Sequence, residues 1–245
     1  MGLFSRLFGK DKREEHPFCS VIIAAAGSSS RMGGGNKLLE PIDGIPVLAR
    51  TLMAVNEASL TDEIVVAARE EDLLAFGELC KIYAISKPVK IVRGGETRLE
   101  SVYRASLECR DGAAFLAVHD GARPLVTPEL IDRTITLACR TNAAAPGVPV
   151  KDTVKIVRDG KVESTLPRED LRAIQTPQVF DAALLRGALQ AALTAGEEVT
   201  DDCSAVERLG KEIYLTDGSY ENIKITTPED LLLAEELLRR REEEA

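Results

Sequence analysis

Residues 21–37 read Val21-Ile22-Ile23-Ala24-Ala25-Ala26-Gly27-Ser28-Ser29-Ser30-Arg31-Met32-Gly33-Gly34-Gly35-Asn36-Lys37, and this stretch decides the fold. Six consecutive apolar residues closed by a Gly/Ser run are short for a helix and read as a strand buried on both faces of a parallel sheet. The loop beyond exposes backbone N–H groups that can form a nest for an anion. Two familiar phosphate motifs are absent. Gly27-Ser28-Ser29 lacks the second glycine of a dinucleotide fingerprint, and no Gly-Lys-Ser/Thr follows. What remains is Ala-Ala-Gly followed by Arg31 and Lys37. An ordinary loop with solvated charges is the plainer alternative. Two cations beside such a turn favour a nucleotide triphosphate that must lose pyrophosphate.

Outward from this loop, strand, loop and helix recur. Pro46 suits the first turn of a helix running towards Asn56. Strands are expected at Glu63–Ala68, Lys90–Val92 and Phe115–Val118, and Thr97-Arg98-Leu99-Glu100 and Thr127-Pro128-Glu129 open helices. The pattern predicts an α/β fold with a mainly parallel, Rossmann-like sheet. Ligands then bind at the carboxyl ends of the strands, in the loops at 27–37, 93–101 and 119–123. Residues 148–176 break the rhythm. Val154–Val157 and Lys161–Ser164 flank Asp159-Gly160, a strong hairpin signal. An isolated hairpin is marginal in water, so this one is expected to pack on a second subunit. A helix follows at about 182–193, a last strand is expected at Ile223-Lys224-Ile225, and Thr227-Pro228 opens a terminal helix. That helix should bury Leu231, Leu232, Leu237 and Leu238.

Bulk composition narrows the function. Of 245 residues, 44% are hydrophobic and only 4% aromatic, which calls for an aliphatic core. A net charge of -9 argues against a nucleic-acid binder, which carries a basic face. Five cysteines, none in a CxxC pair, fit neither a disulfide framework nor a zinc site. They read as thiols in a reducing cytoplasm. No apolar run reaches membrane-spanning length. Residues 1–16 read as a flexible extension before a single domain over 17–245, with transient membrane contact through Leu3, Phe4, Leu7 and Phe8 as the lesser alternative.

Two further segments carry chemistry. In His119-Asp120-Gly121-Ala122-Arg123-Pro124, Asp120 at a strand end can offer a carboxylate oxygen to Mg²⁺ while phosphate oxygens and water complete the shell. The competing reading is a simple turn cap, with His119 structural. In Gly94-Gly95-Glu96-Thr97-Arg98-Leu99-Glu100-Ser101, close backbone approach meets polar groups in a helix's first turn. That suits base or ribose recognition, and equally a capped helix with a solvated Arg98. Arg168, Lys224 and Thr153 are weak signals alone. Thr200-Asp201-Asp202 reads as a helix cap rather than a second metal site.

Taken together, these segments resemble the methylerythritol phosphate cytidylyltransferase family of non-mevalonate isoprenoid synthesis. The resemblance runs from about Ser20 to Leu238 and includes Val148-Pro149-Val150-Lys151-Asp152-Thr153, Gln175-Thr176-Pro177-Gln178 and Asn222-Ile223-Lys224-Ile225-Thr226. It implies a nucleotide-diphospho-sugar-transferase-type domain and a homodimer with interlocking hairpin arms at about 149–172. It implies CTP and methylerythritol phosphate as substrates and Mg²⁺ at Asp120. Arg31 and Lys37 match cations at the CTP phosphates. Ala25, Ala26, Gly27 and Ser28 fall on the nucleotide loop, and Gly95, Glu96, Arg98 and Ser101 where cytidine is held. Arg168 and Lys224 match residues that position the polyol phosphate, and Arg123 and Thr153 fall where a neighbouring subunit contributes. Glu96 departs from the Asp frequent in relatives. Three alternatives stand beside this one: a ribitol 5-phosphate cytidylyltransferase, a non-catalytic nucleotide sensor on the same fold, and a dinucleotide-dependent dehydrogenase, the last disfavoured by the missing glycine fingerprint.

Overall fold

The computed structural model describes residues 16–27, 36–196 and 198–244. Expectations for residues 1–15, Ser28 and Arg31 lie outside the described residues. The chain alternates β1 (Cys19–Ala25), β2 (Pro41–Ile42), β3 (Ile45–Pro46), α1 (Val47–Glu57), β4 (Glu63–Ala68), α2 (Leu73–Ile82), β5 (Val89–Arg93), α3 (Arg98–Glu108), β6 (Phe115–Asp120) and α4 (Pro128–Thr141). There follow β7 (Ala143–Pro149), β8 (Lys155–Arg158), β9 (Lys161–Thr165), β10 (Arg172–Ile174), β11 (Gln178–Asp181), α5 (Ala182–Ala195), α6 (Asp202–Glu207), β12 (Tyr214–Asp217) and α7 (Pro228–Glu244).

The main sheet has eight strands in the order β10-β7-β11-β6-β1-β4-β5, with β12 beside β7. β6, β1, β4 and β5 are mutually parallel, and β11 and β10 run against their neighbours. The apolar run of β1 feeds both faces, because successive side chains alternate across a strand. Val21, Ile23 and Ala25 pack with Val47, Leu52, Ile131, Ile135 and Ala234 from α1, α4 and α7. Ile22 faces the opposite layer with Val102, Leu185, Leu189 and Val206 from α3, α5 and α6. Local signals set the helix ends. Thr127 accepts from the Leu130 N–H ahead of Pro128, and Asn142 closes α4 in the left-handed region at φ 67°.

After Pro149 the chain leaves the main sheet and rejoins it at Arg172. Between these points β8 and β9 form their own two-stranded sheet. Asp159 and Gly160 turn it with φ of 50° and 74°, as the Asp-Gly signal predicts. Every residue of both strands is exposed, so the hairpin has no core of its own.

Two expectations need correction. Residues 223–225 are not a strand. The last strand is β12, and the Ile-Lys-Ile alternation instead lies in a loop whose Ile225 N–H donates to the Ala122 carbonyl at 2.8 Å. Leu232 is not buried but 69% exposed, while Ala234 is the residue of α7 that reaches the core and Leu231, Leu237 and Leu238 pack at its margin. The helix starts where expected, but its buried stripe is offset from the Leu pair.

All five cysteines are free. Cys19, Cys109 and Cys203 are buried, and burial pushes the Cys109 thiol up to about 12. A thiol reagent should therefore titrate Cys80 and Cys139 first in the native protein, and all five thiols only in denaturant. Rapid reaction of all five without denaturant would contradict this packing.

Candidate active site

Because β1, β5 and β6 lie in the parallel part of the sheet, their carboxyl ends share one edge. The register sets Ala24 beside Asp120, and the Gly121 N–H donates to the Ala24 carbonyl at 3.1 Å. A cleft of about 400 Å³ opens there. Ala25, Ala26, Gly27, Lys37, Gly95, Glu96, Arg98, Ser101, Asp120 and Lys224 all line it. One wall needs glycine. A Cβ on Gly94 would sit 2.7 Å from that of Ala26 and 2.8 Å from the Ser101 Oγ. Ser101 is itself occupied in shaping this wall: its hydroxyl accepts from the Gly95 N–H at 3.0 Å and donates to the Thr97 carbonyl at 2.8 Å. Thr97 caps α3, and Glu100 reaches back to the Glu96 N–H at 2.8 Å, so the expected capping pair closes one residue earlier than a capping box.

Charge in the cleft centres on Asp120. Its carboxylate has Lys224 Nζ at 3.0 Å, Arg123 Nε at 3.4 Å and an Arg98 terminal nitrogen at 3.6 Å. Burial alone would push this carboxyl up, but Lys224, Arg98 and Arg123 outweigh it and hold the group well below the usual carboxylate range. The same Arg98 nitrogen lies 2.7 Å from Asp202, which is almost fully buried. Burial would lower the Arg98 guanidinium, yet Asp202 and Asp120 more than offset it and keep it charged. Lys37 enters from the far wall and donates to the Ile225 carbonyl at 2.8 Å. The site is thus a cation cluster gathered around one ionised acid, suited to receiving phosphates.

Not every expected residue lines the cleft. Arg123 stands behind Asp120 and donates to the Asn222 carbonyl at 2.6 Å. Thr153 and Arg168 lie exposed at the root of the hairpin, where Arg168 donates to the Lys151 carbonyl at 2.9 Å.

Comparison with known proteins agrees with this geometry. The sequence model of the family described as 2-C-methyl-D-erythritol 4-phosphate cytidylyltransferase matches residues 19–240. The chain belongs to this family. Proteins of that description from Bacillus cereus and Halalkalibacterium halodurans are similar to it. The first is 46% identical over 221 residues, covering 90% of this chain and 97% of the relative. The second is 45% identical over 224 residues, covering 91% and 98%. Among solved structures, a 4-diphosphocytidyl-2C-methyl-D-erythritol synthase from Anaerococcus prevotii superposes with a TM-score of 0.82 at 33% identity, covering 91% of this chain and 96% of that one. The 2-C-methyl-D-erythritol 4-phosphate cytidylyltransferase of Thermus thermophilus gives 0.73 at 34% identity, covering 91% and 99%.

Behind the cleft of this cytidylyltransferase-family chain lies a buried polar layer that sequence reasoning did not assign. Gln175 donates to the Ser219 carbonyl at 2.7 Å, and Asn222 donates to the Thr176 carbonyl at 3.0 Å. These bonds pin the loop that delivers Lys224. Thr176 Oγ1 accepts from the Asp120 N–H at 3.1 Å and has its own proton for His119 Nδ1 at 2.9 Å. Burial pushes His119 down to about 4, so its ring is neutral at pH 7. Only its Nδ1 is paired, and its Nε2 has no partner among the described residues. The available signal was a set of amide residues in otherwise apolar context, with no periodicity to place them.

Asp120 is one anion set among three cations, so neutralising it leaves their positive charge less compensated. Asp120→Asn should bind inorganic pyrophosphate more tightly in the absence of divalent metal, by about a factor of ten. Calorimetric titration in a chelator checks this, and weaker binding would show that the acid does not compete with anions for these cations.

Proposed function

We propose that this chain transfers CMP from CTP to 2-C-methyl-D-erythritol 4-phosphate, releasing pyrophosphate, as a cytoplasmic homodimer in isoprenoid precursor synthesis. The observation that carries the reading is the convergence of Lys37, Lys224, Arg98 and Asp120 on one cleft at the carboxyl edge of the sheet. Family membership adds the identity of the substrates.

The chemistry follows from charge. A phosphate oxygen of the polyol phosphate attacks the α-phosphorus of CTP, a new P–O bond forms, and the bond to the β-phosphate breaks with pyrophosphate leaving. The attacking phosphate is already anionic and needs little help from a base. The barrier is the approach of two anions. Lys37, with Arg31 on the same loop, screens the triphosphate and neutralises the departing pyrophosphate. Lys224 and Arg168 hold the polyol phosphate, and Arg123 and Thr153 complete that subsite. Glu96, Arg98, Ser101 and the backbone of Ala25, Ala26, Gly27 and Gly95 enclose the nucleoside. The chain also fits Mg²⁺. Asp120 is an ionised hard donor facing the cleft, and Mg²⁺ needs only one or two carboxylates when phosphates supply the rest. When bound it supplies positive charge shared between Asp120 and the phosphate oxygens.

The dimer rests on the hairpin. Val157 and Val162 are 55% and 62% exposed on a two-stranded element without a core, so a second copy of the chain covers them. Five free cysteines suit a reducing cytoplasm, and among the described residues no helix is long and apolar enough to cross a membrane.

Pyrophosphate release from CTP, measured side by side with methylerythritol 4-phosphate and ribitol 5-phosphate, tests the assignment. Turnover with ribitol 5-phosphate alone would overturn it. Lys37→Ala should lower kcat by about 10²–10³-fold with an unchanged far-UV spectrum, and near-normal turnover would remove Lys37 from the chemistry. Replacing residues 155–164 by a short Gly linker should yield a monomer by sedimentation, with polyol phosphate binding lost and CTP binding largely kept. A fully active monomer would refute the shared subsite.

A further inference from the structure

Asp202 is a carboxylate in contact with Arg98 of the cleft to which the proposed reaction gives no role. It opens α6, 104 residues from Arg98 in sequence, and is almost fully buried. It is held from two sides. The Gln178 side-chain carbonyl accepts from the N–H groups of Asp202 and Cys203 at 3.1 and 3.0 Å, and its amide donates to Asp201 at 2.7 Å. Gln178 in turn sits on β11 opposite Val118, two residues before Asp120 on β6. Asp201 closes the arrangement as a capping box with Ser204. The position of the Asp202 carboxylate is therefore referred through one amide to the strand that carries Asp120.

Arg98 lies between the two acids. Its terminal nitrogen bonds Asp202 at 2.7 Å and stops 3.6 Å short of Asp120 Oδ1, while Lys224 and Arg123 approach the other oxygen, Oδ2. We infer that Asp202 is a positioning residue that draws Arg98 away from Asp120 and so leaves the Oδ1 oxygen available to a divalent cation. The inference rests on the metal reading of Asp120 above. Without the Asp202 charge, Asp120 is the acid left in ion-pair contact with Arg98 among the described residues, and a guanidinium bonded to Oδ1 takes the lone pairs a metal would use. Asp202 itself, paired with Arg98 and buried, acts through that arginine and not as a ligand.

The test is Mn²⁺ binding, followed by electron paramagnetic resonance of the free ion, with inorganic pyrophosphate in place of CTP, so that no turnover is needed and no nucleoside contact of Arg98 enters. Asp202→Asn should weaken Mn²⁺ binding by about 10–100-fold, the range found when a residue supporting a metal ligand is lost. Asp202→Glu should bind as the parent does. The decisive arm is Asp202→Asn combined with Arg98→Gln, in which Mn²⁺ affinity should return because the competing cation is gone. A double variant as weak as the single one overturns the inference and makes Asp202 a ligand or a purely structural residue. Unchanged affinity in Asp202→Asn also overturns it, and leaves the metal reading of Asp120 intact. Parent-like affinity in Asp120→Asn overturns the metal reading, and the role of Asp202 with it. Thermal melts accompany each variant. If Asp202→Asn does not fold, the same question is put to Gln178→Leu, which frees the helix end that holds Asp202 and should weaken Mn²⁺ in the same direction.

Discussion

The constraint on which this structure turns is that one carboxylate, Asp120, stays ionised in a nearly buried position. An isolated buried carboxylate would take up a proton instead. It remains charged because Lys224, Arg123 and Arg98 surround it within 3.0–3.6 Å. Each cation comes from a different part of the chain, so the fold must bring all three to the end of β6 at once. The loop at 219–225 supplies Lys224, the turn after β6 supplies Arg123 and the first turn of α3 supplies Arg98. The parallel order β6-β1-β4-β5 makes this feasible, since the ends of these strands open on the same edge.

That arrangement explains why buried amides cluster behind the cleft. Gln175, Gln178 and Asn222 are all nearly inaccessible, a costly position for polar groups unless hydrogen-bonded. Their bonds tie separate loops together: Gln175 to Ser219, Asn222 to Thr176, and Gln178 to Asp201 and the first N–H groups of α6. Gln175 and Asn222 fix the loop before Lys224, and Gln178 fixes the start of α6. A side chain such as Lys224 is flexible, and its location is only as good as the backbone beneath it. The amides supply that rigidity where neither a helix nor a strand passes.

Much of this was legible in the sequence, and the boundary falls on physical lines. Glu63–Ala68 was read to the residue because a continuous apolar run has one interpretation when bracketed by polar turns. The Asp159-Gly160 turn was read because left-handed backbone at two successive positions favours those residues. The loop at 223–225 was misread because Ile-Lys-Ile alternation is what a half-buried strand also shows. Here the alternation arises because Ile225 packs into the core while Lys224 turns to Asp120. β12 escaped notice because Tyr214 and Leu215 are about half exposed and carry no clear pattern. In the site, residues on one loop were found together, while pairs such as Arg98 and Asp202 were not. Nothing local to either reports a partner 104 positions away.

An acid at the centre of a cleft proposed to take phosphates looks counterproductive, since it repels an anion. The geometry resolves this. Without Asp120, Lys224 and Arg123 would lose the charge that draws them together, and Arg98 would be left on Asp202. Asp120 keeps them gathered and oriented beforehand, so that little reorganisation remains when negative charge develops on the transferring phosphorus. The acid costs some ground-state attraction for an anion and returns pre-organisation. That exchange favours turnover over tight binding, because interactions shared equally by ground and transition states lower KM without raising kcat. Lys37 reaches the loop that carries Lys224, donating to the Ile225 carbonyl at 2.8 Å. The fold thus sets the acid where it holds positive charge in place, and the loop carrying Lys224 and Ile225 ties that charge to the core.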